Sequence, residues 1–252
     1  MSKKKELQQK FKSKVMPLTR LIPNLTTLVG LCMGLSAIRL ALNSEWERSL
    51  WLILLAMVID GLDGRIARFL GASSRFGAEL DSLSDFVNFG VTPGLIIYTY
   101  SLHSWRAIGW AFVLFFCVCS ALRLARFNTM DIEGMEVEKP TPKAYFTGVP
   151  MPAGALLMLI PLMVSIHFNY VLPDFIFMLN TAVVATLLVS QLPTFSFKTI
   201  KLEPKFVRLV MLGVAIAVGL LISYPWLVIS LAGVAYYVSF YYSWRAYARG
   251  PK

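Results

Sequence analysis

The chain has 252 residues, of which 57% are hydrophobic and 15% charged, and its mean hydropathy is +0.64. These values exclude an ordinary soluble domain and are typical of an integral membrane protein. The net charge of +10 does not indicate a nucleic-acid partner, because the Lys and Arg residues lie in segments between long apolar runs rather than in one basic patch.

Residues 1–20 are rich in Lys, which is interspersed with apolar residues such as Leu7 and Phe11. The segment carries too many charges for the apolar part of a signal peptide, so it is not interpreted as a cleaved targeting sequence. A basic amphipathic helix that lies on an anionic membrane surface has this pattern. We therefore predict an amphipathic surface helix in residues 1–20.

Eight apolar stretches follow along the chain. They lie near residues 22–42, 48–70, 77–101, 105–127, 149–168, 172–192, 207–223 and 225–243. A transmembrane helix needs about 20 mostly apolar residues. Only Ser223-Tyr224-Pro225 separates the last two stretches, and we predict a tight hairpin there because together they are too long for a single span. The sequence thus predicts an all-α integral membrane protein with eight transmembrane helices.

The distribution of basic residues predicts the orientation of these helices. If both termini are cytoplasmic, every Lys and Arg residue except Arg39, Arg48 and Arg106 lies on the cytoplasmic side. Cytoplasmic segments of membrane proteins carry such an excess of Lys and Arg. We therefore expect both termini, and the turn between the second and third spans, to lie on the cytoplasmic side of the cell membrane.

That turn lies within an acidic stretch, DGLDGRIARFLGASSRFGAELDSLSD. Asp60 and Asp63 are three residues apart, and Asp81 and Asp85 are four apart, so each pair shares one face of a helix. The hairpin brings the pairs together, where the carboxylates would repel one another unless a cation neutralised them. Oxygen ligands favour Mg²⁺, Mn²⁺ or Ca²⁺, and four acids can hold two ions, an arrangement that stabilises phosphoryl displacement.

Two other interpretations of these acids are open on spacing alone. The acids can form salt bridges with Arg65, Arg68 and Arg75, which lie between them. They can also mark the ion path of a divalent-cation transporter, although such a path is expected near mid-membrane and in interrupted helices. The position of the acids at the cytoplasmic end of the bundle disfavours the transporter.

The spacing of the acids also carries a family resemblance. The sequence DGLDGRIAR, then eight residues, then GAELDSLSD resembles the signature of the CDP-alcohol phosphotransferases at every position of that signature. The resemblance implies a six-helix membrane core in residues 21–192, followed by two additional helices and a basic tail in residues 193–252. It also implies an enzyme that cleaves a CDP-linked lipid, releases CMP and joins the phosphatidyl group to an alcohol.

The same resemblance implies roles for individual residues. The four aspartates would hold two metal ions, and Asp85 would also be the general base that deprotonates the acceptor hydroxyl. Gly64, Arg68 and Gly77 would bind the CDP moiety. Similar proteins are homodimers, so a homodimer is expected here as well.

Asn24 and Thr26 lie near the start of the first span. Polar residues at this place contact the nucleotide in similar proteins, which would give both residues a place in the CDP site. The alternative is that they cap the helix, for which Asn24 is a good N-cap candidate.

The sequences around the signature indicate the acceptor. LIPNLTTLVGL, DSLSDFVNFGVTPG, ALRLARFN and YFTGVPMPAGA resemble membrane-type phosphatidylserine synthases of bacteria and archaea, over most of residues 20–165. The resemblance implies transfer of the phosphatidyl group from CDP-diacylglycerol to L-serine, with Mg²⁺ or Mn²⁺ as cofactor. Glycerol 3-phosphate or inositol phosphate as acceptor, and an archaeal lipid as donor, are the alternatives.

Four residues are candidates for the serine site. Arg123, Arg126 and Asn128 would hold serine because the corresponding stretch of similar proteins is implicated in doing so, and guanidinium groups suit a carboxylate. Asn88, one turn after Asp85 on the same predicted helix face, would add a polar group. The alternative is that the two arginines are only interfacial anchors after an apolar span.

Overall fold

The computed structural model of the protein describes residues 21–72, 74–132, 145–190, 193–195 and 207–248. The predicted surface helix in residues 1–20 and the end of the basic tail lie outside these ranges. The α-helices within them are α1 (Ile22–Leu42), α2 (Trp46–Phe69), α3 (Arg75–Asp85), α4 (Thr92–Tyr100), α5 (Arg106–Ile132), α6 (Met151–Phe168), α7 (Asp174–Val189), α8 (Val207–Ser223) and α9 (Pro225–Ala248).

The predicted apolar stretches correspond to these helices, and the third stretch comprises α3 and α4. The helices that are long and apolar enough to cross a membrane are Ile22–Leu42, Leu102–Thr129 and Met151–Phe168, and shorter apolar helices are Asp174–Val189, Val210–Ser223 and Pro225–Ser239. α2 is also long, but its C-terminal half carries Asp60 and Asp63 and two arginines. The helical membrane fold is therefore confirmed, whereas the number of eight spans stays a prediction.

Two short strands add to the helices. β1 (Tyr145–Thr147) and β2 (Pro193–Phe195) pair antiparallel, with Tyr145 opposite Phe195. The sequence predicted helices alone, and this pair is a small addition that leaves the fold class all-α. Strands of three residues are too short to give a readable alternation of polar and apolar residues, and their pairing joins distant parts of the chain.

The third predicted span is not one regular helix, because a π-helical turn, Phe86–Val91, joins α3 to α4. The turn lies just before Pro93, which lacks an N–H and whose ring would clash with a carbonyl one α-helical turn back. Thr92 Oγ1 donates to the Val87 carbonyl at 2.9 Å, and the Cys117 thiol donates to the Gly90 carbonyl at 3.3 Å. These contacts provide hydrogen-bond donors for backbone carbonyls within the π-helical turn. The turn also shifts the helix register after α3 from the predicted one.

The helices pack around one apolar core. α1 and α2 form a hairpin with the most extensive contact, α5 packs on α7, and α6 packs on α9. A Cβ atom on Gly34 of α1 would overlap the amide of Asn88, so a glycine is needed for this close approach. The packing gathers the start of α1, the end of α2, α3 and the end of α5 at one end of the bundle, which we call the cluster end.

The two C-terminal helices differ in their packing. α8 and α9 are separate helices that meet at Tyr224. Residues 210–223 of α8 are exposed in the single chain, whereas α9 contacts α6 and β2 and buries Trp226. In the described part of the chain, α9 is thus integrated into the packed bundle and α8 is not.

Candidate active site

The four aspartates of the acidic stretch meet at the cluster end. One carboxylate oxygen from each of Asp60, Asp63 and Asp81 lies within 4.8 Å of the others. Asp85 lies beside Asp60 and close enough to Asp81 and Asp63 to be repelled by both. The end of α2 and the body of α3 therefore bring the two predicted pairs together, as the three- and four-residue spacings require.

Few groups compensate the charge of these carboxylates. The Thr27 hydroxyl of α1 lies 2.9 Å from Asp63 Oδ2. The buried Oδ1 atom of Asp85 has no hydrogen-bond partner among the described residues. Such a concentration of negative charge in a partly buried site is unfavourable, and cations that neutralise it would stabilise the site.

The arginines between the acids do not supply that charge. Within the described ranges, Arg65, Arg68 and Arg75 form no ion pair, and Arg68 Nε donates instead to the Gly64 carbonyl at 3.1 Å. This contradicts the salt-bridge interpretation of the acidic stretch. The oxygen-only set of carboxylates fits hard divalent cations such as Mg²⁺ and Mn²⁺.

A cleft of about 160 Å³ opens beside the aspartates. Its lining includes Asp63 and Asp81 together with Pro23, Asn24, Thr27, Gly64, Ala67, Ala72, Ser74, Gly77 and Ala78. Small residues and backbone dominate this lining, so a bulky ligand can approach the carboxylates closely. The predicted CDP residues Gly64 and Gly77 both lie here.

Gly77 lines the cleft where α3 approaches α1 closely. A Cβ atom on Gly77 would lie 2.8 Å from Asn24 Oδ1 and 3.1 Å from Ser74 Oγ. Ser74 is the N-cap of α3, and its hydroxyl accepts a hydrogen bond from the Gly77 N–H at 3.0 Å. The cap therefore fixes the start of α3 against the first turn of α1.

The polar residues at the start of α1 divide between the cleft and the helix itself. α1 begins at Ile22 after Leu21, so the alternative that Asn24 is the N-cap is wrong, and Asn24 lines the cleft. Thr26 Oγ1 donates to the Pro23 carbonyl at 2.6 Å and is not among the cleft-lining residues described. Thr27, which the sequence reasoning missed, is three residues after Asn24 and shares its helix face.

The end of α5 provides a second side of the site. Ser82 Oγ of α3 donates to Asn128 Oδ1 at 3.2 Å, and the Arg123 guanidinium interacts with Asp85. Arg123 also lies over the Phe127 ring, 4.6 Å from its centroid, and its buried Nε has no hydrogen-bond partner among the described residues. The structure thus brings Arg123 and Asn128 to the face of α3 that carries Asp85.

The remaining two residues of the predicted serine site, Arg126 and Asn88, have no described contact with the aspartates. Arg126 is half-buried on α5, one turn after Arg123. Asn88 is buried between α3 and α1, where its Nδ2 lies 3.3 Å from Ser84 Oγ and its amide abuts Gly34. The π-helical turn changes the register after Asp85, and the contacts described for Asn88 are with α1 and Ser84 rather than with α5.

Comparison with known proteins bears on this site. A CDP-diacylglycerol–serine O-phosphatidyltransferase of Mycobacterium bovis is 37% identical over 219 residues, 86% of this chain and 76% of the relative. The protein of the same name from Helicobacter pylori is 34% identical over 195 residues, 76% of this chain and 79% of the relative. The one from Methanocaldococcus jannaschii is 40% identical over 137 residues, 54% of this chain and 58% of the relative.

A family model gives the widest match. The model of CDP-alcohol phosphatidyltransferases matches residues 20–240, which includes every residue of the site and extends through α8 into α9. The resemblance seen in the signature is therefore confirmed, and the interpretation as a cation transporter is set aside. With its aspartates converging beside a glycine-lined cleft, the chain belongs to the CDP-alcohol phosphatidyltransferase family.

Proposed function

We propose that this protein transfers the phosphatidyl group of CDP-diacylglycerol to the hydroxyl group of L-serine, forming phosphatidylserine and CMP. The observation that carries the proposal is the placement of Arg123 and Asn128 beside the cluster of aspartates. The relatives named for this reaction cover most of the chain and support the choice of serine.

Asp60, Asp63, Asp81 and Asp85 would hold two divalent cations, Mg²⁺ or Mn²⁺. The support is the convergence of oxygen ligands and the absence of an ion pair to them among the described residues. When bound, the cations withdraw negative charge from the phosphate at which displacement occurs and from the departing CMP.

The cleft beside Gly77 would bind the CDP moiety. Gly64 and Gly77 leave room for the nucleotide phosphates, and the Asn24 amide offers a donor and an acceptor at the cleft wall. Arg68 lies at the exposed rim near Gly64 and would reach a phosphate as a bidentate donor. Thr26 does not line the described cleft, so any contribution of Thr26 to CDP binding would come from outside it.

The acceptor would bind on the α5 side. Arg123, with Arg126 next to it on the same helix, would bind the serine carboxylate, and Asn128 would bind a polar group of serine. Asp85 would take the proton of the serine hydroxyl, and the serine oxygen would then attack the phosphatidyl phosphorus. A new bond forms between the serine oxygen and phosphorus while the bond from phosphorus to the CMP oxygen breaks, and CMP leaves with the electron pair.

This chemistry suits a site at the membrane surface. We propose that the cluster end faces the cytoplasm, with both termini there, eight spans in the membrane and a homodimer as the working unit. The basic residues around the cluster end support this orientation. The acyl chains then stay in lipid while serine and CMP exchange with the cytosol.

Purified protein supplied with CDP-diacylglycerol, Mn²⁺ and a panel of acceptors tests the proposal. We expect CMP release to require L-serine and the lipid product to be phosphatidylserine, identified by mass spectrometry. CMP release with glycerol 3-phosphate or inositol phosphate, but not with serine, would overturn the acceptor and leave the family intact.

A further inference from the structure

The side chain of Asn88 lies where three helices meet. It belongs to the π-helical turn after α3 and is 2% exposed. A Cβ atom on Gly34 of α1 would overlap Asn88 Oδ1, and one on Gly30 would lie 3.9 Å from Asn88 Nδ2 and 3.5 Å from Ile59 Cγ2 of α2. The two glycines, one helical turn apart, therefore leave a slot in α1 that the Asn88 amide fills.

A series of hydrogen bonds leads from this amide to the aspartates. Asn88 Nδ2 donates to Ser84 Oγ at 3.3 Å, and the Ser84 hydroxyl donates to the Thr27 carbonyl at 3.4 Å. The Thr27 hydroxyl lies 2.9 Å from Asp63 Oδ2, which accepts as a carboxylate. All four residues are between 2% and 7% exposed, so water competes little for these bonds. We call Asn88, Ser84 and Thr27 the buried relay.

The Thr27 hydroxyl has two acceptors, and the position of α1 decides between them. Besides Asp63 Oδ2, the Pro23 carbonyl lies 3.0 Å from Thr27 Oγ1. Pro23 belongs to the same helix and moves with Thr27, whereas Asp63 belongs to α2. If α1 shifted, the hydroxyl would keep Pro23 and lose Asp63. The bond from Ser84 to the Thr27 carbonyl ties α1 to α3 at this residue and so favours the contact with Asp63.

Packing alone does not account for an amide in the slot. Asn88 Oδ1 is buried and has no hydrogen-bond partner among the described residues. A buried acceptor without a partner lowers stability, and an apolar side chain of similar shape, such as Leu, would fill the slot without that cost. The contribution of Asn88 is therefore its Nδ2 donor, whose described acceptor is Ser84 Oγ.

We propose that Asn88 and Ser84 are positioning residues for the metal site, which hold α1 so that the Thr27 hydroxyl orients the Asp63 carboxylate. Groups that orient a ligand in this way change the affinity for the metal. The inference rests on the proposed function, because it takes Asp63 as a metal ligand. It assigns Asn88, a candidate for serine binding on sequence grounds, to the metal side of the reaction.

Two buried serines provide a matched test in the full-length protein. Ser84→Ala removes a link of the relay, whereas Ser120→Ala removes a buried hydroxyl that has no hydrogen-bond partner among the described residues. The Kd for Mn²⁺ is measured without substrates, from the electron paramagnetic resonance signal of free Mn²⁺. Ser84→Ala is expected to raise this Kd about three- to tenfold, the effect of one modest hydrogen bond, and Ser120→Ala to change it less than about twofold.

Asn88→Leu separates the relay from a serine site. The Leu side chain keeps the approximate shape of Asn and removes the Nδ2 donor, so the Kd for Mn²⁺ is expected to rise by a factor similar to that of Ser84→Ala. The KM for serine at saturating Mn²⁺ is expected to stay within about twofold of wild type. A raised KM for serine with an unchanged Kd for Mn²⁺ would overturn the inference and return Asn88 to the acceptor site.

A second background shows whether the relay acts through Thr27. In a Thr27→Val protein, the effect of Ser84→Ala on the Kd for Mn²⁺ is expected to shrink below about twofold, because the hydroxyl that meets Asp63 is already gone. Equal Kd values in Ser84→Ala and Ser120→Ala, or an undiminished effect in the Thr27→Val background, would contradict the relay. Wild-type protein that binds no Mn²⁺ at all would overturn the proposed metal site as well, which is a distinguishable result.

Discussion

The protein places carboxylates at both ends of its helix bundle, and their surroundings differ. At the end opposite the cluster, Asp174 begins α7 and accepts hydrogen bonds from Ser101 Oγ, from Ser104 Oγ at 2.8 Å and from Trp105 Nε1 at 3.1 Å. At the cluster end, the four aspartates lie close to one another, and among the described residues the Thr27 hydroxyl contacts one of them, Asp63.

The difference separates a structural acid from functional ones. The negative charge of Asp174 is stabilised by three donors and by the positive end of the α7 dipole, so the protein itself completes its environment. The aspartates at the cluster end have fewer donors and repel one another, which is why we propose that cations complete their environment. The number of hydrogen-bond donors around each acid therefore predicts the effect of its substitution. Substituting an acid with few donors should change metal-dependent activity, and substituting an acid with several donors should change only the stability of the protein.

Metal removal is expected to give the largest difference between the two ends. Excess EDTA should reduce CMP release to background, because the cations supply most of the charge stabilisation for phosphoryl displacement. Added Mn²⁺ or Mg²⁺ should restore activity. As a control for the other end, Asp174→Ala should leave the effect of EDTA on the Tm no larger than in wild type, because Asp174 is not expected to bind metal. CMP release that persists in EDTA would contradict the metal assignment.

Asp85→Asn should have the next largest effect. The amide cannot accept the proton of the serine hydroxyl, so kcat should fall by between about 10² and 10⁴. Equilibrium binding of CDP-diacylglycerol should be largely retained. Asp174→Asn is the matched control at the other end, with kcat expected near wild type. Near-normal turnover in Asp85→Asn would show that another group is the base.

Thr27→Val tests the lone donor at the cluster end. Loss of the hydroxyl that lies 2.9 Å from Asp63 Oδ2 should weaken the apparent affinity for Mn²⁺ about ten- to hundredfold. Activity measured against Mn²⁺ concentration gives this value. Thr26→Val is the control, since its hydroxyl donates to the Pro23 carbonyl of its own helix. Equal Mn²⁺ affinity in both variants would mean that Thr27 does not orient a ligand.

Asp174→Ala should have the smallest effect on activity. Because Asp174 is partly exposed, loss of its hydrogen bonds should lower the free energy of unfolding by about 1–2 kcal/mol. The Tm of the protein in detergent measures this change, and kcat should stay within about twofold of wild type. A large loss of kcat at an unchanged Tm would end the distinction between the two groups of acids.

The sequence predicted the convergence of the aspartates well, because its determinants are local. Apolar runs of sufficient length gave the helices, and the three- and four-residue spacings placed each pair of aspartates on one face. The prediction of Asn24 as the N-cap failed because α1 begins at Ile22, so that Leu21 is the cap and Asn24 lies three residues after it. The sequence also indicated Thr26 for the site, whereas the neighbouring residue Thr27 is the one that contacts Asp63.

The acceptor side was harder to predict, since tertiary packing determines it. The π-helical turn depends on Pro93 and on a Cys117 contact from another helix, and it moved Asn88 into the interface with α1. Short-range patterns cannot encode such contacts.

Pro161 has no N–H to offer the Leu157 carbonyl in α6, and Asn180 of α7 donates to the Leu157 and Met158 carbonyls instead, each at 3.1 Å. This dependence of α6 on α7 has a consequence for how the protein is made. All four aspartates are synthesised before Asn180. An unpaired backbone carbonyl in hydrocarbon is strongly unfavourable, so α6 reaches its final hydrogen bonding only after α7 has entered the membrane beside it. During insertion, the aspartates of α2 and α3 can therefore come together early, whereas the hydrogen bonding of α6 is completed only when α7 follows.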